Sequence, residues 1–237
     1  MPPYILFFLS IYWLHPNTKK LVPEPSADSS PKAAIQGIRA IVGSGKTAWA
    51  LLSVFATAFF CGPLITFSPV IVKNILHADV GQFGGALTAF GVGGMLGPLL
   101  ILALRRRDPM KLSLTAALFY GLLILAVSRV GHLWQLAALL VGSGFLLTVS
   151  NTSANTFLEL HANNRIRGQT ASLYVLAMRD AGHPRCMSWG NLATGAAISL
   201  SDIRLVFVIN GLLAVAVQAL VLRRMFPGQR QTELRPA

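Results

Sequence analysis

The chain is poor in acidic residues and in cysteine, and both shortages restrict what it can be. Its 237 residues include eight Asp or Glu against 20 Lys or Arg, and only two cysteines. These carboxylates form no pair suited to general acid–base catalysis, and Cys61 and Cys186 give neither a disulfide framework nor a metal-ligand spacing. The five histidines are scattered, and no Ser or Cys nucleophile has a plausible base nearby. The pattern predicts a protein that is not an enzyme and has no cofactor and no metal.

Charge of either sign is also scarce. Charged residues make up 12% of the chain and hydrophobic residues 54%, and the mean hydropathy is +0.60. Soluble domains carry about 25% charged residues, so this composition is typical of membrane proteins. The net charge of +12 could suggest nucleic acid as a partner. However, the basic residues occupy short gaps between apolar runs instead of one face of a domain, which argues against nucleic acid and for the lipid bilayer.

Long apolar runs predict an all-α membrane protein with six transmembrane helices. A helix needs about 20 apolar residues to cross a bilayer. Five runs qualify, with kinks expected at Pro63 and Pro69 in the first: residues 47–72, 80–104, 112–130, 133–158 and 205–222. Between Arg167 and Asp202 the chain is mostly apolar but is interrupted by the charged sequence RDAGHPR.

The distribution of basic residues indicates that this interrupted stretch also crosses the membrane. With six crossings and a cytoplasmic start, the outer loops hold only Lys73, Arg129 and Arg204, while most other basic residues lie in the inner segments. Such a bias is typical of inner-membrane topology. The resulting organisation is a remnant of a preceding membrane helix (1–14), a cytoplasmic linker with a surface helix (15–46), a six-helix transmembrane domain (47–225) and a cytoplasmic tail (226–237).

The stretch GSGKT, at residues 43–47, raises a different possibility, a nucleotide-binding loop. Gly45, Lys46 and Thr47 fit the end of that motif, but Ala40 stands where its first glycine belongs. The residues before it have helical rather than strand periodicity, and an uncharged run of 26 residues follows. A P-loop nucleotide-binding protein therefore remains a remote alternative, and the stretch is interpreted as the polar start of a span.

Small and polar residues inside the predicted spans are the candidates for packing and binding. Gly81, Gly85, Gly93 and Gly97 have the small-x-x-x-small spacing that lets helices approach closely in lipid. A polar run late in the fourth predicted span includes Asn151 and Asn155. Its side chains either hydrogen-bond to neighbouring helices or line a wet cavity, because they cannot face lipid unpaired.

The interrupting sequence RDAGHPR holds the remaining candidates for function. Asp180 and His183 lie one turn apart and could form a protonatable pair, while Arg179 or Arg185 could attract an anionic substrate. Ionisable residues in a span are expensive and are functional by default, and Pro184 would break the helix there. The alternative is that this segment is an anomaly with no function.

Two longer stretches give the chain a resemblance to a known family. GALTAFGVGGMLGPLLILALRRRDPMK, residues 85–111, and NTSANTFLELHANNRIRGQTASLY, residues 151–174, resemble the eighth-to-ninth and tenth-to-eleventh helix regions of major facilitator superfamily transporters. The chain is similar to the C-terminal six-helix half of that fold. The second stretch is similar to the enterobactin-exporter-like branch, which exports siderophores and other amphipathic compounds using protons.

The resemblance implies efflux of small molecules by alternating access across a bacterial inner membrane, with both termini in the cytoplasm. It also implies a cytoplasmic gate at Arg105, Arg106, Arg107 and Asp108, and at Arg165, Arg167 and Gly168, although topology and lipid attraction alone would explain these residues. The first six helices of the family are absent from this sequence, and RDAGHPR is longer and more polar than the matching family segment. A missing N-terminal half, a second copy acting as partner, or a non-transporting truncated fragment are therefore the competing interpretations.

Overall fold

A computed structural model describes residues 45–103, 108–161 and 186–226. Within these ranges every regular element is helical, which confirms the predicted all-α class. The elements are α1 (Gly45–Ala56), a π-helical turn (Thr57–Cys61), α2 (Pro63–Asn74), α3 (Val80–Ala103), α4 (Pro109–Val127), α5 (Leu133–His161), α6 (Cys186–Leu200) and α7 (Ile203–Met225).

Five helical segments of the described chain are long and apolar enough to cross a membrane. The first joins α1, the π-helical turn and α2 into one span, and the others are α3, α4, α5 and α7. They match the five apolar runs found in the sequence. The protein is therefore an integral membrane protein, and GSGKT ends at the start of its first described span.

Helix starts follow capping chemistry. The Asp108 carboxylate accepts a hydrogen bond from the Met110 N–H at 3.0 Å, and the Asp202 carboxylate accepts one from the Arg204 N–H at 3.1 Å. Each cap satisfies a backbone donor that the first helical turn leaves free, and Pro109 suits the first position of α4 because it has no N–H to satisfy. α4 therefore begins three residues earlier than the apolar run that predicted it.

The first span is interrupted just before Pro63, one of the two prolines at which the sequence predicts a kink, whereas α2 continues through Pro69. A π-helical turn ends at Cys61, and Pro63 follows after one residue. Pro63 has no N–H for the carbonyl of Phe59, and Pro69 has none for the carbonyl of Ile65. The hydroxyl of Ser68 donates to Ile65 O at 2.7 Å and so replaces the second missing partner.

Two buried apolar clusters identify the two ends of the helix bundle. The first joins the starts of α1 and α4 to the ends of α5 and α7, through Ala50, Leu51, Met110, Leu114, Phe157, Leu158 and Val221. We call this the basic end, because Lys46, Lys111, Arg223 and Arg224 lie there. The larger cluster contains residues from the end of α4 and the starts of α5 and α7, including Val127, Leu136 and Ile203. It marks the opposite end.

α5 and α7 run through the bundle in the same direction. α5 ends at the basic end, whereas α7 begins at the opposite end. α6 precedes α7 and packs against the π-helical turn and α2 of the first span. The start of α1 and the end of α7 lie together at the basic end of the bundle.

Glycines set the closest helix contacts. A Cβ added to Gly93 of α3 would meet the backbone of Val141 in α5, and one added to Gly144 of α5 would meet that of Phe90 in α3. In α7, a Cβ on Gly211 would lie 2.7 Å from a methyl carbon of Leu125 in α4. Since lipid supplies no hydrophobic force between helices, such close backbone approach provides the packing.

Candidate functional site

A buried amide connects α7 to the first span. Gln218 is 1% exposed, and its Nε2 donates to Thr57 Oγ1 at 2.9 Å and to Ser53 O at 3.1 Å. Its Oε1 accepts from Ser53 Oγ at 2.7 Å. Both donor hydrogens and the acceptor of this amide are thus used, which removes the cost of burying it among apolar helices.

The π-helical turn is the point at which several helices meet. Its first residue, Thr57, is bonded to Gln218 of α7, and its last, Cys61, accepts a hydrogen bond at its carbonyl from Tyr120 Oη of α4 at 3.2 Å. Between them, a Cβ added to Gly190 of α6 would meet the carbonyl of Phe59. Three helices therefore contact this short irregular segment directly, and π-helical turns occur often at functional sites.

The polar run of α5 makes mixed contacts. The carbonyl of Ser150 accepts from Ser113 Oγ of α4 at 2.9 Å, so this part of the run binds a neighbouring helix. Asn155 donates through Nδ2 to Glu159 of its own helix at 2.9 Å, and Asn151 is half-buried. Asn155 is thus engaged within α5, one turn before the basic end.

Asn191 and Asn210 add polar groups between α6 and α7. Asn210 Nδ2 donates to Thr194 Oγ1 at 2.9 Å. Asn191 lies one turn before Thr194 on α6, and its buried Oδ1 has no hydrogen-bond partner in the described part of the chain. Asn210 therefore belongs to the α6–α7 contact, and neither amide is part of the predicted polar run of α5.

The four predicted packing glycines divide into two pairs. Gly93 and Gly97 face α5, where a Cβ added to Gly97 would lie 2.9 Å from Thr148 Cβ. A Cβ added to Gly81 or Gly85 would meet nothing within 4 Å among the described residues. The close contact is thus at the end of α3 nearer the basic end, and the other pair has open space beside it.

Several predicted site residues lie outside the described residues. They are Arg105, Arg106, Arg107, Arg165, Arg167, Gly168, Arg179, Asp180, His183 and Arg185. Asp108, from the predicted gate, is described and caps α4. Beside it, the Nζ of Lys111 lies 4.9 Å from the ring centroid of Phe226, a cation–π contact that joins α4 to the end of α7.

Sequence reasoning did not single out Gln218, Thr57, Gly144 or Gly190. A usable signal existed for Gln218, because it and Asn210 are the two amides in the apolar run 205–222. Polar side chains inside a span are rare and mark contacts or paths. Gly144 and Gly190 gave no comparable signal in the sequence, because their role is visible only from the backbone of the helix that packs against each of them.

Two shallow cavities lie at the opposite end of the bundle. One, of about 440 Å³, is lined by Pro69, Val72, Lys73, Ala78, Asp79 and Phe83. The other, of about 350 Å³, lies between α4 and α5 and includes Arg129 and Trp134. Among the described residues, no group of His, Cys, Asp and Glu side chains could hold a metal ion.

The chain matches a known protein family over nearly its whole length. Residues 4–236 match the model of a family described as "Transmembrane secretion effector", which is of the major facilitator type. A search of the curated proteins finds no match. The family match spans almost the whole chain and agrees with the resemblance found in residues 85–111 and 151–174.

Proposed function

Because the chain belongs to the transmembrane secretion effector family of the major facilitator superfamily, we propose that it is the C-terminal half of a secondary transporter exporting small amphipathic compounds. The family itself makes it a transporter of the major facilitator type. The outward direction, the substrate class and coupling to protons are the proposal. The observation that supports an alternating-access mechanism is the π-helical turn, where three other helices meet a broken span.

The turn provides a place at which the bundle can change shape. One residue after the turn, Pro63 has no N–H for the carbonyl of Phe59, so the hydrogen-bond ladder is broken there and α1 and α2 can tilt relative to one another at low cost. Gln218 fastens α7 to Ser53 and Thr57, on the α1 side of the break. Tilting at the turn would move α7 with α1 while α2 follows a different path. Such a motion opens one end of a bundle while closing the other.

Alternating access requires a second six-helix body facing this one. Either the earlier helices of a longer product or a second copy of the chain would supply it. We place Asp180 and His183 in this scheme as the protonatable pair, with Arg179 and Arg185 attracting an anionic part of the substrate. Following the family resemblance and the basic end, the protein would lie in a bacterial inner membrane with both termini in the cytoplasm.

Transport can be tested in liposomes preloaded with self-quenching sulforhodamine B, an amphipathic dye that carries sulfonate groups and whose fluorescence rises when it leaves the liposome. With the chain reconstituted, an acidic exterior should accelerate dye efflux several-fold, and a protonophore should remove the acceleration. Asp180→Asn should remove the dependence on the pH gradient. The matched control is Asp202→Asn, which loses a carboxylate but keeps the cap of α7, since Asn caps as well as Asp.

The dependence of efflux on the protein-to-lipid ratio distinguishes the two possible partners, a second copy of the chain and the earlier helices of a longer product. If a second copy completes the path, efflux at low density should rise with the square of the protein-to-lipid ratio. If the earlier helices are required, the chain alone should stay inactive until they are co-expressed. Efflux equal to that of protein-free liposomes under both conditions would instead support a non-transporting fragment. An unchanged response to the pH gradient in Asp180→Asn would show that Asp180 does not couple transport to protons.

A further inference from the structure

The larger of the two cavities at the opposite end carries charges of both signs on an apolar floor. It lies where α2 ends and α3 begins, and Lys73 and Asp79 are its ionisable lining residues. Pro69, Val72, Ala78 and Phe83 complete its lining. A cavity with one cation, one anion and an apolar wall matches a ligand that carries the complementary pair of charges on an apolar stem.

Both charged side chains are available to such a ligand. Lys73 and Asp79 are exposed, and within the described part of the chain neither forms an ion pair or a side-chain hydrogen bond. Asp79 precedes α3, where a carboxylate would ordinarily cap the helix. Here the capping contact is different, because Gln82 Oε1 accepts from the Asp79 N–H at 3.2 Å. Among the described residues, no backbone N–H of α3 donates to the Asp79 carboxylate, which leaves it available to a ligand.

The turn between the helices fixes the spacing of the two charges. The N–H of Ala78 donates to Val72 O at 3.1 Å, and those of Ile75 and Leu76 both donate to Ile71 O. His77 closes the turn with a φ of 48°, in the left-handed region that favours glycine. Lys73 and Asp79 thus stand on either side of a tightly hydrogen-bonded turn, which holds the cavity open.

The location of the cavity identifies the source of the ligand. α2 ends at Asn74 and α3 begins at Val80, so the cavity lies where the spans leave the hydrocarbon core and lipid headgroups begin. Leu87 lies one turn from Phe83 along α3 and is 43% exposed, which continues the apolar wall towards the membrane interior. A lipid can place its headgroup in the cavity and an acyl chain along this wall.

We infer that this cavity binds the headgroup of a zwitterionic phospholipid that bears a primary ammonium, of the ethanolamine type. Its ammonium pairs with Asp79, its phosphate pairs with Lys73, and an acyl chain packs on Phe83 and Leu87. A purely anionic headgroup leaves the Asp79 carboxylate facing negative charge. A choline headgroup has no N–H to donate to that carboxylate and binds more weakly.

The test uses the purified full chain in detergent, titrated with short-chain phosphatidylethanolamine while bound lipid is counted by native mass spectrometry. Asp79→Asn and Lys73→Ala should each weaken binding about three- to tenfold, the range of one ordinary hydrogen bond, because both side chains are exposed to solvent. Arg204→Ala is the matched control, since it removes an exposed basic residue at the same end and should change nothing. For phosphatidylglycerol, Lys73→Ala should weaken binding and Asp79→Asn should not.

Each outcome of these lipid titrations either supports or overturns the inference. Loss of ethanolamine-lipid binding in both cavity variants, with the glycerol-lipid pattern above, supports it. Equal affinity of wild type and Asp79→Asn for the ethanolamine lipid overturns it. Free phosphoethanolamine that competes as well as the lipid would also overturn it, because the ligand would then be a soluble zwitterion. These readouts measure binding and do not depend on the proposed transport.

Discussion

At the scale of single residues, Ser68 shows how this span tolerates an internal proline. Its hydroxyl bonds to the Ile65 carbonyl, which Pro69 leaves without a helical partner, and the side chain is 1% exposed. We predict that Ser68→Ala lowers the free energy of unfolding by about 1 kcal/mol, because a carbonyl then stays unpaired away from water. Tryptophan fluorescence during unfolding in mixed SDS–detergent micelles measures this.

Ser199 provides the comparison for Ser68. It makes a bond of the same type and length, to Ala196 O at 2.7 Å, but it is exposed and no proline follows it. Ser199→Ala should therefore change stability by less than about 0.5 kcal/mol. Equal losses in the two variants would mean that the hydroxyl of Ser68 does not compensate for Pro69.

Residue-level contacts were the least predictable part of the candidate site. An intramembrane amide such as Gln218 could have been identified as a contact residue from the sequence, because its burial demands partners. Its actual partners, Ser53 and Thr57, lie more than 160 positions earlier in the chain. No local pattern encodes a pairing over that distance, so only the packed structure reveals which helix faces the amide.

At the scale of helices, we predict opposite effects on stability for alanine substitutions in the two glycine pairs of α3. Gly93→Ala should destabilise the protein by about 1–3 kcal/mol, because the new methyl group meets the α5 backbone at Val141. Gly85→Ala, with open space beside it, should be neutral or stabilise by up to about 1 kcal/mol through helix propensity. The same micelle unfolding assay distinguishes them. A larger loss at Gly85 would show that another helix contacts that pair.

The sequence predicted where the membrane-spanning helices lie, but it did not predict where a helix is irregular. Apolar runs of membrane-spanning length and charged ends located five spans to within a few residues, since lipid permits few alternatives to a helix. The prolines indicated that the first span would be interrupted. They did not indicate a π-helical turn, because its form depends on Tyr120, Gly190 and Gln218 from other helices.

At the scale of the whole molecule, topology makes a further prediction. After Cys61 and Cys186 are replaced by alanine, single cysteines can be introduced at exposed positions of both ends. Arg204→Cys and His132→Cys should react with a membrane-impermeant maleimide on intact cells, because they lie at the opposite end. Lys46→Cys and Arg224→Cys, at the basic end, should react only after permeabilisation. Labelling of Lys46→Cys and Arg224→Cys from different faces would contradict an even number of crossings.

The arrangement of helices in space also has a consequence for how the protein is made. α3 has α5 as its main packing partner, through Gly93, Gly97 and Gly144, while α4 lies between them in the sequence. Translation therefore delivers α3 to the bilayer before the helix that will hold it exists. Until the ribosome has completed Leu133–His161, the insertion machinery or a chaperone must shelter this glycine-rich segment, and a pause in synthesis over α4 would expose it to membrane proteases.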